Sequence, residues 1–193
     1  MEEKKPTRQD AWDLLTRYNH NENLIRHALM VESVMVHFAE LLGDPDREKW
    51  SVIGLAHDVD YERYPEEHCR KTREILEGEG WPGEYIRAVE SHGWKICTDV
   101  EPVDRLEKVL YTIDELTGLV AATAMVRPSR SILDMNAKSV KKKWKQAGFA
   151  AGVRRDIIEE GAGMLEMDLT EVIEETIKGM QKAAGEIGLK GDL

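Results

Sequence analysis

The sequence predicts an all-α fold. Helical periodicity recurs along most of its 193 residues, convincing runs of alternating apolar and polar residues are missing, and turn-forming residues separate the periodic stretches. A first helix is expected over 10–18, followed by an Asn-rich turn at 19–23 that can supply an N-cap. A long helix then runs to about Leu42. Gly43-Asp44-Pro45-Asp46 closes it and opens a helix carrying His57 and Asp58, with Pro45 suited to a helix start. After a connector at 61–65, a charged helix over 66–77 ends at Gly78-Glu79-Gly80. Trp81-Pro82-Gly83 starts a short helix leading into Ser91-His92-Gly93-Trp94. Pro102 precedes a helix that carries Asp114 and continues to Met125. Beyond Arg127-Pro128-Ser129-Arg130, further helices near 137–146, 154–164 and 169–187 read as an elaboration packed on the same core.

The length suits a single domain over 1–193, with a core at about 21–125 and a C-terminal helical elaboration at about 126–193. A net charge of −10 speaks against general nucleic-acid binding, which needs an excess of Lys and Arg to neutralise phosphates. Cys69 and Cys97 form no CxxC motif, so neither a disulfide framework nor a zinc ribbon is expected, and a reducing cytoplasm fits. The charged N-terminus lacks the apolar core of a signal peptide, and no apolar run approaches the roughly 18 residues of a membrane span. The expectation is a soluble, cytoplasmic protein. Five Trp and eight Met are compatible with a core and an oligomer interface but locate neither.

Chemistry enters at four residues that interrupt apolar stretches. His27 shares a helical face with Leu24 and Val31; His57 and Asp58 follow Val52-Ile53-Gly54-Leu55-Ala56; Asp114 shares its face with Leu110 and Tyr111, while Glu115 can turn to water. Burying such groups unsatisfied costs about 2–7 kcal/mol or more. One inward histidine reads as a hydrogen-bonded core residue, whereas four such residues, with an adjacent His-Asp among them, point to a metal site. Imidazole and carboxylate donors suit Mn, Fe, Co, Ni or Zn.

The order His27, His57-Asp58, Asp114 resembles the HD superfamily of metal-dependent phosphohydrolases over about 21–125, including the thirty-residue step from His27 to His57 and the small, apolar Gly54-Leu55-Ala56 approach. The resemblance implies a helical bundle and a divalent ion held by His27, His57, Asp58 and Asp114. His68 and His92 complete the ligand order of two-metal members, which implies a second ion sharing Asp58. The implied activity is hydrolysis of a phosphomonoester or phosphodiester, a nucleotide among the candidates, by a metal-activated water. It leaves the natural substrate open. Members with six ligands also include di-iron oxygenases, and a non-catalytic metal-binding regulatory module is the third reading.

Asp58 is the expected catalytic centre, with Asp60, Glu62 or His68 available to protonate a leaving oxygen. Arg26, Arg63, Lys71 and Lys95 lie near the motif residues in sequence and are the expected phosphate-binding cations for a small phosphorylated substrate. The stretch from Lys138 to Arg155 carries seven basic and no acidic residues, and 156–193 carries ten acidic and three basic, so the basic helix reads as a solvated face beside acidic ones. His20 and His37 match no motif and read as structural.

Overall fold

The computed structural model describes residues 5–192, and α-helices dominate them: α1 (Arg8–Tyr18), α2 (Glu22–Leu42), α3 (Arg47–Ala56), α4 (Arg70–Gly78), α5 (Gly83–Ser91), α6 (Arg105–Met125), α7 (Ala137–Trp144), α8 (Arg155–Met164) and α9 (Leu169–Lys182). The all-α expectation holds. Among the described residues the only strand-like feature is an isolated bridge between Trp94 and Thr98. Side-chain caps set most helix starts. Thr7 and Asp10 form a reciprocal capping box on α1, and Asn21, Asp46, Asp104, Asn136 and Asp168 accept from first-turn amides of α2, α3, α6, α7 and α9. Gly43, at φ 70°, closes α2 in the left-handed conformation that a side chain would strain.

Helix α2 is the hub, packed on α3, α6 and α9, while α8 lies on α6. Phe38, Met35, Trp50, Ile53, Leu110 and Ile113 are buried at the helix contacts, and full burial of one such side chain stabilises by about 1.5–3 kcal/mol. Two glycines let backbones nearly touch. A Cβ on Gly54 would stand 2.8 Å from the Glu32 Cα, and one on Gly179 would stand 2.8 Å from the Val34 Cα. The first draws α3 against α2. The second seats α9 on α2, where the Gly179 carbonyl accepts from the Ser33 hydroxyl at 2.7 Å. The C-terminal helices thus pack on the same core.

The structure departs from the sequence expectation at two places that matter for the site. Helix α3 stops at Ala56, so His57 and Asp58 stand on consecutive turns rather than inside a helix, with the Val59 amide bonding the Ala56 carbonyl and the Tyr61 amide bonding the Asp58 carbonyl. Asn19 fastens these turns by donating its side-chain amide to the Val59 carbonyl at 2.9 Å. The charged helix expected from Glu66 begins only at Arg70. A 3-10 turn at Pro65–Glu67 precedes it, and Cys69 takes a φ of 67° that no α-helix tolerates. Asp60 compensates by accepting from the Thr72 amide in the first turn of α4 at 2.9 Å. His68 is thereby turned inward.

Among the described residues no helix is long and apolar enough to cross a membrane.

Candidate metal centre

Six side chains from separate parts of the chain converge beside the α2–α6 pair. His27 comes from the first half of α2 and Asp114 from the middle of α6, while the turns after α3 supply His57 and Asp58. The bend before α4 supplies His68, and the end of α5 supplies His92.

The donor atoms fall into two groups joined by Asp58. In the first, His27 Nε2 lies 2.9 Å from Asp114 Oδ1, 3.2 Å from His57 Nε2 and 3.7 Å from Asp58 Oδ2. His57 Nε2 lies 3.4 Å from both Asp58 Oδ2 and Asp114 Oδ1. In the second, His68 Nε2 and His92 Nε2 are 3.2 Å apart, and Asp58 Oδ1 is 3.4 Å from the former and 3.5 Å from the latter. Each carboxylate oxygen of Asp58 therefore faces its own pair of imidazoles.

Hydrogen bonds behind the rings assign the tautomers. His57 Nδ1 donates to the Gly54 carbonyl at 2.8 Å, His92 Nδ1 to the Val89 carbonyl at 2.5 Å and His68 Nδ1 to Asp60 Oδ1 at 2.7 Å. The Nε2 lone pairs of these rings consequently point into the cluster. His68 and His92 then set acceptor against acceptor, an arrangement that a cation or an added proton relieves. Metal–ligand bonds of about 2.0–2.2 Å place neighbouring donors about 2.8–3.6 Å apart in octahedral to tetrahedral shells, close to the spacings found here. The donor set fits a divalent cation on both counts: His27, His57, Asp58 and Asp114 would hold one ion, and His68, His92 and the second oxygen of Asp58 would hold another.

The electrostatics agree. Burial alone would lower the His57 pKa, but the Asp58 and Asp114 carboxylates outweigh it and raise His57 well above the ordinary histidine value. Burial would likewise raise both aspartates, yet the facing imidazoles, His57 first among them, hold Asp58 and Asp114 well below the usual carboxylate range. His68 is raised because its bond to Asp60 and the Asp58 charge overcome burial.

Other residues expected at the site take different positions. Asp60 is fully buried behind His68, bonded to that ring and to the Thr72 amide, so it positions the His68 ring and lines no part of the pocket. Glu62 is exposed and accepts from the His20 and Asn21 amides at 2.7 and 2.8 Å, closing the start of α2. The four expected phosphate-binding cations line no part of the pocket above the His/Asp cluster. Arg26 pairs with Glu22, and Arg63 lies over the Tyr18 ring and donates to the Arg17 carbonyl. Lys71 pairs with Glu74, and Lys95 lies over Trp94 and pairs with Glu160. Each of the four is engaged by a partner outside the pocket lining.

The pocket instead exposes Leu24, Tyr61, Ile96, Gly118, Val153 and Glu115 beside the cluster. Glu115 does not simply face water. Burial raises its pKa, and its carboxylate accepts from the Arg154 amide at 3.0 Å. Helical spacing held part of this information, since Leu24 is three residues before His27 and Gly118 four after Asp114. Val153 arrives from the C-terminal elaboration, and no local signal marks it. Cys69 and Cys97 also correct the sequence reading, for they form a disulfide across 28 residues behind Gly93, joining the bend after His68 to the loop after His92. The Cys69 sulfur lies within 4.8 Å of the His68 and His92 donors.

Neither a curated protein nor a solved structure matches the chain. Residues 24–119, which contain all six clustered side chains, match the family model of the HD domain. Through that domain the chain belongs to the HD superfamily of metal-dependent phosphohydrolases.

Proposed function

We propose that the protein is a metal-dependent phosphohydrolase that cleaves a small phosphomonoester or phosphodiester. The observation that carries this reading is the two-sided use of Asp58, whose oxygens each face a separate histidine pair. Such a carboxylate suits two adjacent cations, a pairing fitted to in-line displacement at phosphorus. His27, His57 and Asp114 complete one ligand set, and His68 with His92 completes the other. A bound divalent ion supplies an acidified water, whose pKa falls from 15.7 towards about 7, together with Lewis-acid pull on a phosphoryl oxygen.

The chain's own residues do the rest. Asp60 holds the His68 ring and fixes its tautomer, and the Gly54 and Val89 carbonyls do the same for His57 and His92. Glu115 and Gly118 of α6, together with Val153, line the pocket beside the cluster. No protein nucleophile is required.

The test is inorganic phosphate release from a panel of phosphomonoesters and phosphodiesters, run anaerobically with Mn, Fe, Co, Ni or Zn supplied in turn. Metal-dependent, oxygen-independent release is the expected result. Turnover that requires iron and consumes oxygen would replace this reading with an oxygenase, and bound metal without turnover would favour a regulatory module.

A further inference from the structure

We infer that the substrate carries a single phosphoryl group attached to a compact apolar body, and that Ile96, Gly118 and Val153 select that body; this rests on the phosphohydrolase reading above. The pocket over the metal cluster encloses about 340 Å³, near the lower end of the roughly 300–1,000 Å³ usual for small-molecule sites. A phosphoryl group and one ring suit that volume.

The charge distribution narrows the class. Asp58, Asp114 and Glu115 are the formally charged side chains among the described residues lining the pocket, and no Lys or Arg joins them. Two divalent cations against these three carboxylates would leave a formal charge of +1, which a single phosphoryl group, at about −1.5 to −2, already outweighs. A di- or triphosphate would add anionic charge with no side-chain cation to receive it, and Arg26, Arg63, Lys71 and Lys95 are held elsewhere.

Away from the ligands and Glu115, the walls at Leu24, Ile96 and Val153 are apolar, and the last two are held in place. Ile96 is 49% exposed, yet its loop is fixed by bonds to the Gly93 carbonyl from the amides of Ile96, Cys97 and Thr98 at 2.9, 2.8 and 3.1 Å. An ordered loop that presents an isoleucine to water at the rim of a metal pocket is suited to an apolar ligand group. Val153 is set in place by Arg155, whose guanidinium donates to the carbonyls of Trp144, Phe149, Ala150 and Val153, and by the Arg154 amide bond to Glu115. Gly118 leaves the floor open: a Cβ there would already touch Val153 Cγ2 at 3.8 Å, so a longer side chain would occupy the space of the body.

Calorimetric binding of phenylphosphonate, methylphosphonate, ribose 5-phosphate and a nucleoside triphosphate to the metal-loaded protein tests the inference without turnover. Phenylphosphonate should bind about tenfold or more tightly than methylphosphonate, the scale of one well-placed hydrophobic group, and more tightly than the two polar phosphates. Gly118→Leu, and separately Ile96→Ser with Val153→Ser, should drive the phenyl-to-methyl ratio towards one while metal content and circular dichroism stay unchanged. Equal affinity for the two phosphonates, tighter binding of the sugar phosphate or triphosphate, or a ratio untouched in both folded variants would overturn it. Loaded protein that binds none of the four would contradict the phosphohydrolase reading and take this inference with it.

Discussion

The side chains of Glu32, Glu90 and Glu107 are 9%, 7% and 3% exposed, and each rests on an arginine: Arg8, Arg73 and Arg87 respectively. Asp58 and Asp114, with side chains 16% and 18% exposed, have imidazoles where the glutamates have guanidinium groups. The difference separates structure from chemistry. A guanidinium is permanently charged and forks onto a carboxylate, so Glu32 is satisfied by Arg8 Nε at 2.5 Å, a second guanidinium nitrogen at 2.9 Å and the Ser51 hydroxyl at 2.5 Å. An imidazole offers a conditional charge and a lone pair, so the aspartates remain open to a cation from outside the chain.

The largest expected effect of breaking this contrast is at Asp58. Asp58→Ala removes a donor from both groups, and activity should fall by more than about 10³-fold, beyond the loss from deleting one oxyanion donor; phosphate release and metal content measured together check it. Arg8→Ala attacks the other kind of site. It should lower stability by about 2–3 kcal/mol in urea unfolding, less than the 3–5 kcal/mol of a fully buried pair because Arg8 is half-exposed, with metal content unchanged.

Asp60→Asn joins the two classes, since Asp60 is a buried carboxylate whose partner is a candidate metal ligand. Metal affinity at the His68–His92 side should drop by about 10–100-fold, the usual effect of losing a carboxylate behind a ligating histidine, as read by competition with a chelator. A loss of stability with metal affinity intact would assign Asp60 to the structural group.

The smallest effect is the pH dependence of the metal-free fold. His57 is raised, so its stabilisation is full below the unfolded value of 6.5 and disappears as pH climbs through the higher folded value. Asp58 and Asp114 are lowered, so theirs is present above the unfolded value of 3.8 and disappears on acidification through their folded values. Thermal unfolding of chelator-treated protein should therefore be most favourable between about pH 4 and 6.5, with about 2–4 °C for each kcal/mol. Metal affinity should run the other way, weakening as pH falls and protons occupy His57.

Much of this was legible in the chain because local chemistry encodes it. Caps and periodicity place the helices, and an inward histidine or aspartate among aliphatic residues marks itself. The bend at Cys69 was not legible: it depends on Asp60 reaching the Thr72 amide, a contact closed by tertiary packing. The roles of Arg26, Arg63, Lys71 and Lys95 were hidden for the same reason, since flexible cations choose partners only once the surface exists. Val153 entered the pocket across 39 residues from Asp114, through the Arg155 carbonyl contacts that a basic run in the sequence disguised as a solvated face.

Elemental analysis of the purified chain and of Asp58→Ala, each re-equilibrated with excess divalent transition metal and then desalted, addresses the central claim most directly. The parent chain should retain one or two ions per molecule and the variant should lose them. A folded parent chain that retains none, or a variant that retains as many, would contradict it.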